Sequence, residues 1–220
     1  MKTARIMLAT LAVAITVVLV AFNTKSDKMI GITAASIDGV EVVNPNATSW
    51  TLDRSHSSIS FSVEHLMVSE VEGKFRKFEG SMTGEKEDYS DAVVDFKAEV
   101  NSIDTDDDKR DGHLKSDDFF NGEKFPHIKF KSTKFKKLAG NKYLLTGDLT
   151  IRDITKSVTW SVVSKPTVKD PWGNIKAGFT ASLTVNRFDY NLKWNTLTEA
   201  GGAVVGKDVN IKVNVEFAKK

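Results

Sequence analysis

The sequence contains no cysteine among its 220 residues. Disulfide bonds, thiolate nucleophiles and zinc or iron–sulfur sites with cysteine ligands are therefore excluded. The same absence excludes a lipoprotein, because lipid attachment at a lipobox requires a cysteine.

The motifs of common hydrolases and metalloenzymes are also missing. Ser55-His56-Ser57 places hydroxyl groups beside an imidazole, but no GxSxG element supports a nucleophile. Residues 201–206 are rich in glycine but open onto a predicted strand, so they lack the helical amides of a phosphate-binding loop. The histidines have no HExxH spacing; they are His56, His65, His113 and His127. We therefore predict no catalytic residue, no metal site and no enzyme activity.

Charge is nearly balanced, and its small excess belongs to the N-terminus. The chain has 31 basic and 29 acidic residues, and residues 1–35 hold four of the former and one of the latter. The remainder carries 27 basic and 28 acidic residues, so no nucleic-acid partner is predicted. With 40% hydrophobic and 27% charged residues, the chain can bury a packed core.

The first 25 residues are typical of an export signal. Lys2 and Arg5 precede an apolar run over residues 6–22, which only Thr10 and Thr16 interrupt. This order predicts a signal peptide at residues 1–25, with a retained membrane anchor as the alternative. Residues 26–47 are polar and predict a linker. We therefore expect a periplasmic or secreted protein whose folded domain spans residues 48–218.

From residue 50 onward, hydrophobic residues recur with a period of two, as Ile59, Phe61 and Val63 do between serines. Such alternation indicates half-buried antiparallel strands. Eight strands are predicted, at residues 50–66, 70–83, 91–103, 128–137, 142–152, 156–168, 174–187 and 207–218. They favour an all-β domain, either a sandwich or a closed barrel, and an eight-stranded barrel can hold one small ligand. The pattern leaves open whether the inward aromatic residues fill the interior or line a tunnel.

One charged segment departs from the alternation. Residues 104–120 hold seven aspartates and precede an Asn-Gly helix stop, which predicts a short helix at about residues 105–121 with Thr105 as its cap. A calcium loop registered on Gly112 would place Lys109 at a ligand position, so no calcium site is predicted. Arg110 and Asp111 are expected to pair or to anchor this crossover, which would form a lid with a charged outer face.

Several motifs, in order over about residues 48–218, resemble the YceI-like family. They are Trp50-Thr-Leu-Asp53, His56-Ser57-x-Ile59-x-Phe61-x-Val63-x-His65, Val71-x-Gly73-x-Phe75-x-x-Phe78-x-Gly80, Ser102-Ile-x-Thr105, Arg110-Asp-x-His-Leu-x-Ser-x-Asp-Phe-Phe120, Phe125-Pro126-x-Ile128-x-Phe130-x-Ser132, Gly147-x-Leu149-Thr-Ile-x-x-Ile-Thr-Lys156, Gly178-Phe179 and Asn186-Arg187-x-Asp189-Tyr190. Two positions depart from the family: Asp189-Tyr190-Asn191 replaces Asp-Phe-Gly, and Arg152-Asp153-Ile154 lacks a common glycine.

The resemblance implies an extended, lipocalin-like antiparallel barrel of eight strands in the periplasm. It implies no catalysis, no cofactor, frequent homodimers, and a bound polyisoprenoid or fatty amide in an internal tunnel. Transient membrane contact would serve lipid exchange. The alternative function is a non-catalytic envelope interaction or stress protein with a filled barrel core.

Alternation and the resemblance together give candidate site residues. The predicted tunnel lining is Ile59, Phe61, Val63, Phe96, Phe130, Leu149, Trp160 and Phe179. The predicted mouth and lid are His56, Arg110, His113, Leu114, Phe119 and Phe120.

Overall fold

The computed structural model describes residues 47–197 and 203–220. The predicted signal peptide and all but the last residue of the predicted linker lie outside these ranges. Within the described ranges, no helix has the length and apolar character needed to cross a membrane.

The described chain is built almost entirely of strands, with one α-helix. The elements are β1 (Thr48–Leu52), β2 (Ser58–His65), β3 (Ser69–Phe75), β4 (Phe78–Gly84), β5 (Val93–Glu99), β6 (Ile103–Asp104), α1 (Asp108–Lys115), β7 (His127–Lys137), β8 (Lys142–Ile151), β9 (Ile154–Ser164), β10 (Val168–Lys169), β11 (Ile175–Asn186) and β12 (Val205–Lys219). Three 3₁₀ turns occupy Arg54–His56, Val100–Ser102 and Arg187–Tyr190.

The sheet closes on itself. Neighbouring strands follow the order β11-β9-β8-β7-β5-β4-β1-β12, and β12 pairs again with β11 from Lys176↔Ala218 to Asn186↔Asp208. All of these pairings are antiparallel. The predicted all-β, eight-stranded antiparallel barrel with one short helix is confirmed.

Three of the predicted strands are bent rather than continuous. The long strand β12 pairs with β2 along its first part and with β1 along its last part, so β1 and β2 together form one side of the barrel. A 3₁₀ turn separates them, and the Asp53 side chain caps this turn by accepting from the Ser55 amide (3.1 Å). The sequence analysis did not predict these breaks, although the inward positions change from even numbers, as at Trp50 and Leu52, to odd numbers, as at Ile59.

One end of the barrel is packed with aromatic side chains; we call it the closed end. The rings of Trp50 and Tyr89 lie 5.9 Å apart, and Tyr89 lies 5.1 Å from Phe179. The Tyr89 hydroxyl also hydrogen-bonds to Thr167 Oγ1 (2.6 Å), so its polar atom is satisfied although the residue is buried. Strand β11 begins at this end.

The crossover between β6 and β7 covers the opposite end, which we call the lid end. Its helix is shorter than predicted, and its N-cap is Asp107, whose carboxylate accepts from the Arg110 amide (3.0 Å). This bond holds the pKa of Asp107 below its usual value. Thr105, the predicted cap, instead donates from its amide and hydroxyl to buried Asp111 (2.9 and 2.6 Å). Arg110 donates to Thr105 as well, so Arg110 and Asp111 anchor the crossover through one threonine.

Arg152 fastens the crossover to the barrel from the β8–β9 turn. Its guanidinium donates to the carbonyls of Asp117 (2.9 Å), Phe119 (2.7 Å) and Asn191 (3.3 Å) and to the Asp117 carboxylate (2.8 Å). Its backbone has φ 55°, a conformation that favours glycine. Arg152 therefore strains the backbone of the turn, while its side chain anchors the crossover.

Replacing Arg152 with alanine should loosen the lid while leaving the barrel folded. Loss of these bonds, of which those to the Phe119 and Asn191 carbonyls are partly buried, is expected to lower the free energy of unfolding by about 1–3 kcal/mol. Hydrogen exchange at residues 117–121 should accelerate, while β11 and β12 keep their protection. Arg54→Ala, which changes an exposed arginine, is the control; equal exchange rates in the two variants would contradict the anchoring role.

Candidate functional site

An apolar cavity of about 200 Å³ lies inside the barrel. Its wall contains every residue predicted to line a tunnel: Ile59, Phe61, Val63, Phe96, Phe130, Leu149, Trp160 and Phe179. Sequence reasoning missed other lining residues, among them Phe75, Arg187, Tyr190, Leu192 and Phe217. The interior is therefore hollow along the face that the alternation selects.

The cavity is elongated. Along β12 its lining extends from Val205 to Phe217, which is about 40 Å of extended strand at the usual rise per residue. Because barrel strands are tilted by roughly 35–45°, this length corresponds to about 30 Å along the barrel axis. Such a shape suits a chain rather than a compact molecule.

Two glycines let aromatic rings lie flat against the wall. Phe61 is paired across the strands with Gly73, and Phe96 with Gly80. A Cβ atom on Gly73 would lie 2.4 Å from Phe61 Cζ, and one on Gly80 would lie 2.6 Å from the Phe96 ring. Each ring thus occupies the space above a missing side chain instead of projecting to the barrel axis. This arrangement leaves the axis open.

Apolar residues of the crossover close the lid end. Leu114, Phe119 and Phe120 line the cavity, and the Phe120 ring lies 6.1 Å from that of Phe75. The His113 ring packs on Phe119 (5.0 Å), and its Nε2 lies 2.8 Å from the Asp118 carboxylate. Four of the six predicted mouth and lid residues therefore meet in one cluster.

Arg110 and His56 occupy different positions from those predicted. The Arg110 guanidinium is bound to Thr105 and does not line the cavity. His56 lies beside Asp53, which binds Lys176 near the start of β11, whereas the lid is reached where β11 ends. The length of β11 separates the two regions by about 30 Å. His56 therefore does not belong to the mouth.

A buried guanidinium organises the loop beside the lid. Arg187 donates to the carbonyls of Gly206 (2.8 Å), Leu192 (2.6 Å), Trp194 (2.7 Å) and Val205 (3.2 Å). Burial lowers the pKa of Arg187. It acts here as a hydrogen-bonding hub that holds the two sides of the loop together. The Asn186-Arg187 motif was the sequence signal for it, but an arginine on an apolar strand end does not by itself indicate burial.

Tyr190 follows in the same 3₁₀ turn and lines the cavity. Burial, together with the nearby charge of Asp189, raises the pKa of Tyr190 to about 12. The phenol therefore stays neutral at physiological pH and adds an uncharged ring to the wall.

The serine, histidine and aspartate near residue 55 do not form a nucleophilic relay. Ser55 Oγ donates to Asp53 (2.6 Å) and lies 3.2 Å from His56 Nδ1, the same ring nitrogen that faces Asp53 (3.1 Å). A relay needs the hydroxyl and the carboxylate on opposite ring nitrogens. Here the carboxylate binds both partners directly.

The same carboxylate belongs to a group of potential metal ligands. Single ligand atoms of Asp53, His56 and Glu216 lie within 4.8 Å of one another. The Lys176 ammonium, however, binds both Asp53 (2.9 Å) and Glu216 (3.0 Å). Hydrogen bonds from Ser55, Lys176 and His56 hold the pKa of Asp53 well below its usual range. The positive charge of Lys176 therefore already balances the carboxylates of Asp53 and Glu216.

Comparison with known proteins gives consistent matches along the barrel. A family model described as the YceI-like domain matches residues 50–217. A UPF0312 protein of Staphylococcus aureus is 38% identical over 172 residues, which cover 78% of this chain and 98% of that protein. A UPF0312 protein of Photorhabdus laumondii is 41% identical over 138 residues, covering 63% of this chain and 71% of that protein.

Solved structures share the fold. A Campylobacter jejuni YCEI protein superposes with a TM-score of 0.61 at 28% identity, covering 77% of this chain and 97% of that one. Burkholderia cenocepacia BcnA gives 0.66 at 22% identity, with coverages of 75% and 98%. A polyisoprenoid binding domain from Saccharophagus degradans gives 0.57 at 14% identity, with coverages of 78% and 98%. At these identities the last two show the fold alone.

Replacing Gly80 with alanine should narrow the cavity. The added methyl group meets the Phe96 ring, which must turn toward the axis, at a cost of about 1–3 kcal/mol of stability. A crystal structure and urea unfolding measure the two effects. Gly112→Ala is the control, because nothing lies within 4 Å of that position in α1. If the Phe96 ring does not move, Gly80 does not determine the width of the cavity.

Asp53→Asn should destabilise the protein in a pH-dependent manner. Because the pKa of Asp53 is depressed in the folded state, its contribution is present above the unfolded pKa of about 3.9 and is lost as the pH falls through the folded value. The difference in unfolding free energy between wild type and variant should therefore be largest near pH 7 and shrink below pH 4. A difference that is constant between pH 7 and pH 2 would exclude this origin.

Proposed function

The chain belongs to the YceI-like family, and from this premise we propose that it holds a polyisoprenoid or a similar long-chain amphiphile in its barrel. The observation that carries the proposal is the elongated apolar cavity. Its role would be transport, storage or sequestration of that lipid. The polyisoprenoid binding domain of Saccharophagus degradans, which shares the fold, supports the choice of ligand class.

The driving force would be desolvation of the hydrocarbon chain. Removing apolar surface from water stabilises a complex by roughly 25 cal/mol per Å², and the wall is almost wholly apolar. Because buried Trp50 and Tyr89 pack the closed end, the chain would enter tail first. Its head group would stay at the lid end, near the polar backbone and charged outer face of the crossover.

Entry requires the lid to move. Phe119 and Phe120 of the crossover line the cavity, and Arg152 fixes the Phe119 carbonyl to the β8–β9 turn. We propose that the crossover opens by releasing these side chains while the closed barrel keeps its shape. No covalent step is needed for such a cycle.

Binding is better supported than catalysis. The Ser55 and His56 side chains lie outside the cavity and lack relay geometry. The alternative of a non-catalytic interaction or stress protein with a filled core has less support, since the interior contains a cavity. Export to the periplasm or beyond remains our proposal from the N-terminal sequence, as do a homodimer and transient membrane contact.

The direct test is native mass spectrometry of protein purified from its own host. We expect a non-covalent adduct with the mass of a long-chain lipid, removed by solvent extraction and restored by farnesyl or octaprenyl compounds. The proposal fails if the protein carries no extractable lipid and binds neither chain.

A pair of neighbouring substitutions tests the location. Ala181→Phe places a ring inside the cavity, whereas Ser182→Phe places the same ring on the outer face. The first should lower lipid affinity at least tenfold because it removes volume, and the second should leave it unchanged. Affinity is measured by titration with a fluorescent isoprenoid. Equal losses in both variants would place the ligand elsewhere.

A further inference from the structure

The turn between β2 and β3 exposes three consecutive apolar side chains. Leu66, Met67 and Val68 are 38%, 62% and 83% exposed. We call these three residues the apolar tip. Scattered single apolar residues are normal on protein surfaces, but a consecutive run at a loop end marks a contact site.

The backbone of the tip is strained. Leu66 and Met67 have φ values of 54° and 62°, and the Val68 amide donates to the His65 carbonyl (3.2 Å) across the turn. Asn-Gly is the usual pair in such a hairpin turn, because both central residues need positive φ. Two bulky apolar residues here are unfavourable for conformation and for solvation at once, and strain of this kind is a signature of function.

The tip belongs to the lid end. Val63, three residues before Leu66, lines the cavity, and the Leu66 amide donates to the Val204 carbonyl (3.0 Å), next to cavity-lining Val205. Leu197, which forms an isolated β-bridge with Ala203 next to Val204, is 62% exposed. The apolar tip therefore lies at the same end of the barrel as the lid and close to the cavity wall, although Glu64 and His65 stand between it and Val63.

We propose that the apolar tip inserts into the interface of a lipid bilayer and brings the lid end to the membrane for exchange of ligand. The inference rests on the proposed lipid-binding function. A hydrocarbon ligand enters water only at a high free-energy cost, so contact between the lid end and the bilayer would shorten the path of the ligand through water.

The chemistry of the tip favours a bilayer over a protein. Three residues on a narrow hairpin fall short of the 20–30 residues per side that a stable protein interface uses. The tip's charged neighbours are Glu64, Glu70, Lys207 and Asp208, and the crossover is also acidic. Anionic lipid would thus be repelled, and the matching surface is a zwitterionic one such as phosphatidylcholine.

The test replaces the tip with residues that suit the turn. Leu66→Asn, Met67→Gly and Val68→Ser together remove the apolar surface and relieve the positive-φ strain, so the variant should fold at least as well as the wild type. Trp172→Ser is the matched control, because Trp172 is 85% exposed on the β10–β11 hairpin at the closed end.

Residues 47–220 are used so that the apolar run at residues 6–22 does not bind the vesicles. Solved relatives match over 97–98% of their own length, which indicates that the barrel folds alone.

Flotation with phosphatidylcholine vesicles decides the role of the tip without any ligand. We expect the wild type and Trp172→Ser to float with the vesicles, and the triple variant to partition at least tenfold more weakly. Raising the salt concentration from 0.1 to 1 M should change wild-type partitioning less than twofold, because the contact is apolar. A wild type that does not float, or a triple variant that floats equally well, would overturn the proposal. Dimer loss in the triple variant with unchanged flotation would identify a second copy as the partner instead.

Uptake of NBD-labelled geranylgeraniol separates this inference from the proposed function. All three proteins should take up the probe equally from detergent-free solution, whereas transfer from vesicles should be at least tenfold slower in the triple variant. If the wild type takes up no probe from solution, the proposed lipid-binding function is refuted, and flotation still tests whether the tip contacts the membrane. Equal transfer rates in wild type and triple variant would refute the proposed role of the tip in ligand exchange.

Discussion

The pairing of β12 with β11 on one side and with β1 and β2 on the other is the constraint on which the rest of this structure depends. It closes the sheet, so that no edge is left on either flank of β12 and the inward face of every strand is shielded from water. Only inside a closed ring can an apolar cavity persist beside the hydrophobic core without being filled by solvent or collapsing. The long β12 also sets the length of the cavity, since its inward residues follow the barrel from the lid end to the closed end.

Within that ring, the two ends differ in how they are fastened. The closed end is held by aromatic packing around Tyr89 and Phe179, whose rings meet edge to face. The lid end is held by arginines bound to backbone carbonyls: Arg152 on the crossover and Arg187 on the neighbouring loop. Hydrogen bonds of this kind are strong while dry and exchange readily with water. The lid end, which we propose opens for a ligand, is therefore fastened by bonds that water can replace as well as by aromatic contacts such as Phe119 with Trp194.

Part of this arrangement could be predicted. The alternation of Ile59, Phe61 and Val63 fixed the inward face of β2, because side chains on a strand have a period of two whatever the fold around them. The charged stretch after Asp104 indicated the one helix, although its cap was assigned to Thr105 instead of Asp107. That error has a physical cause, because Thr105 and Asp107 are both residue types that cap helices well. In the folded protein the Thr105 hydroxyl is hydrogen-bonded to Asp111, a contact that is buried when the crossover packs on the barrel.

The sequence by itself determined the strand pattern, the family and the apolar character of the interior, since these depend on local periodicity and on residue types. Only the tertiary structure decided that the interior is hollow, because this depends on which residue lies across from each ring, as Gly73 does from Phe61. It also separated His56 from the lid. His56 lies just before β2, and β2 ends nine residues later at the other end of the barrel. Contacts between distant segments set both outcomes, and no local pattern encodes them.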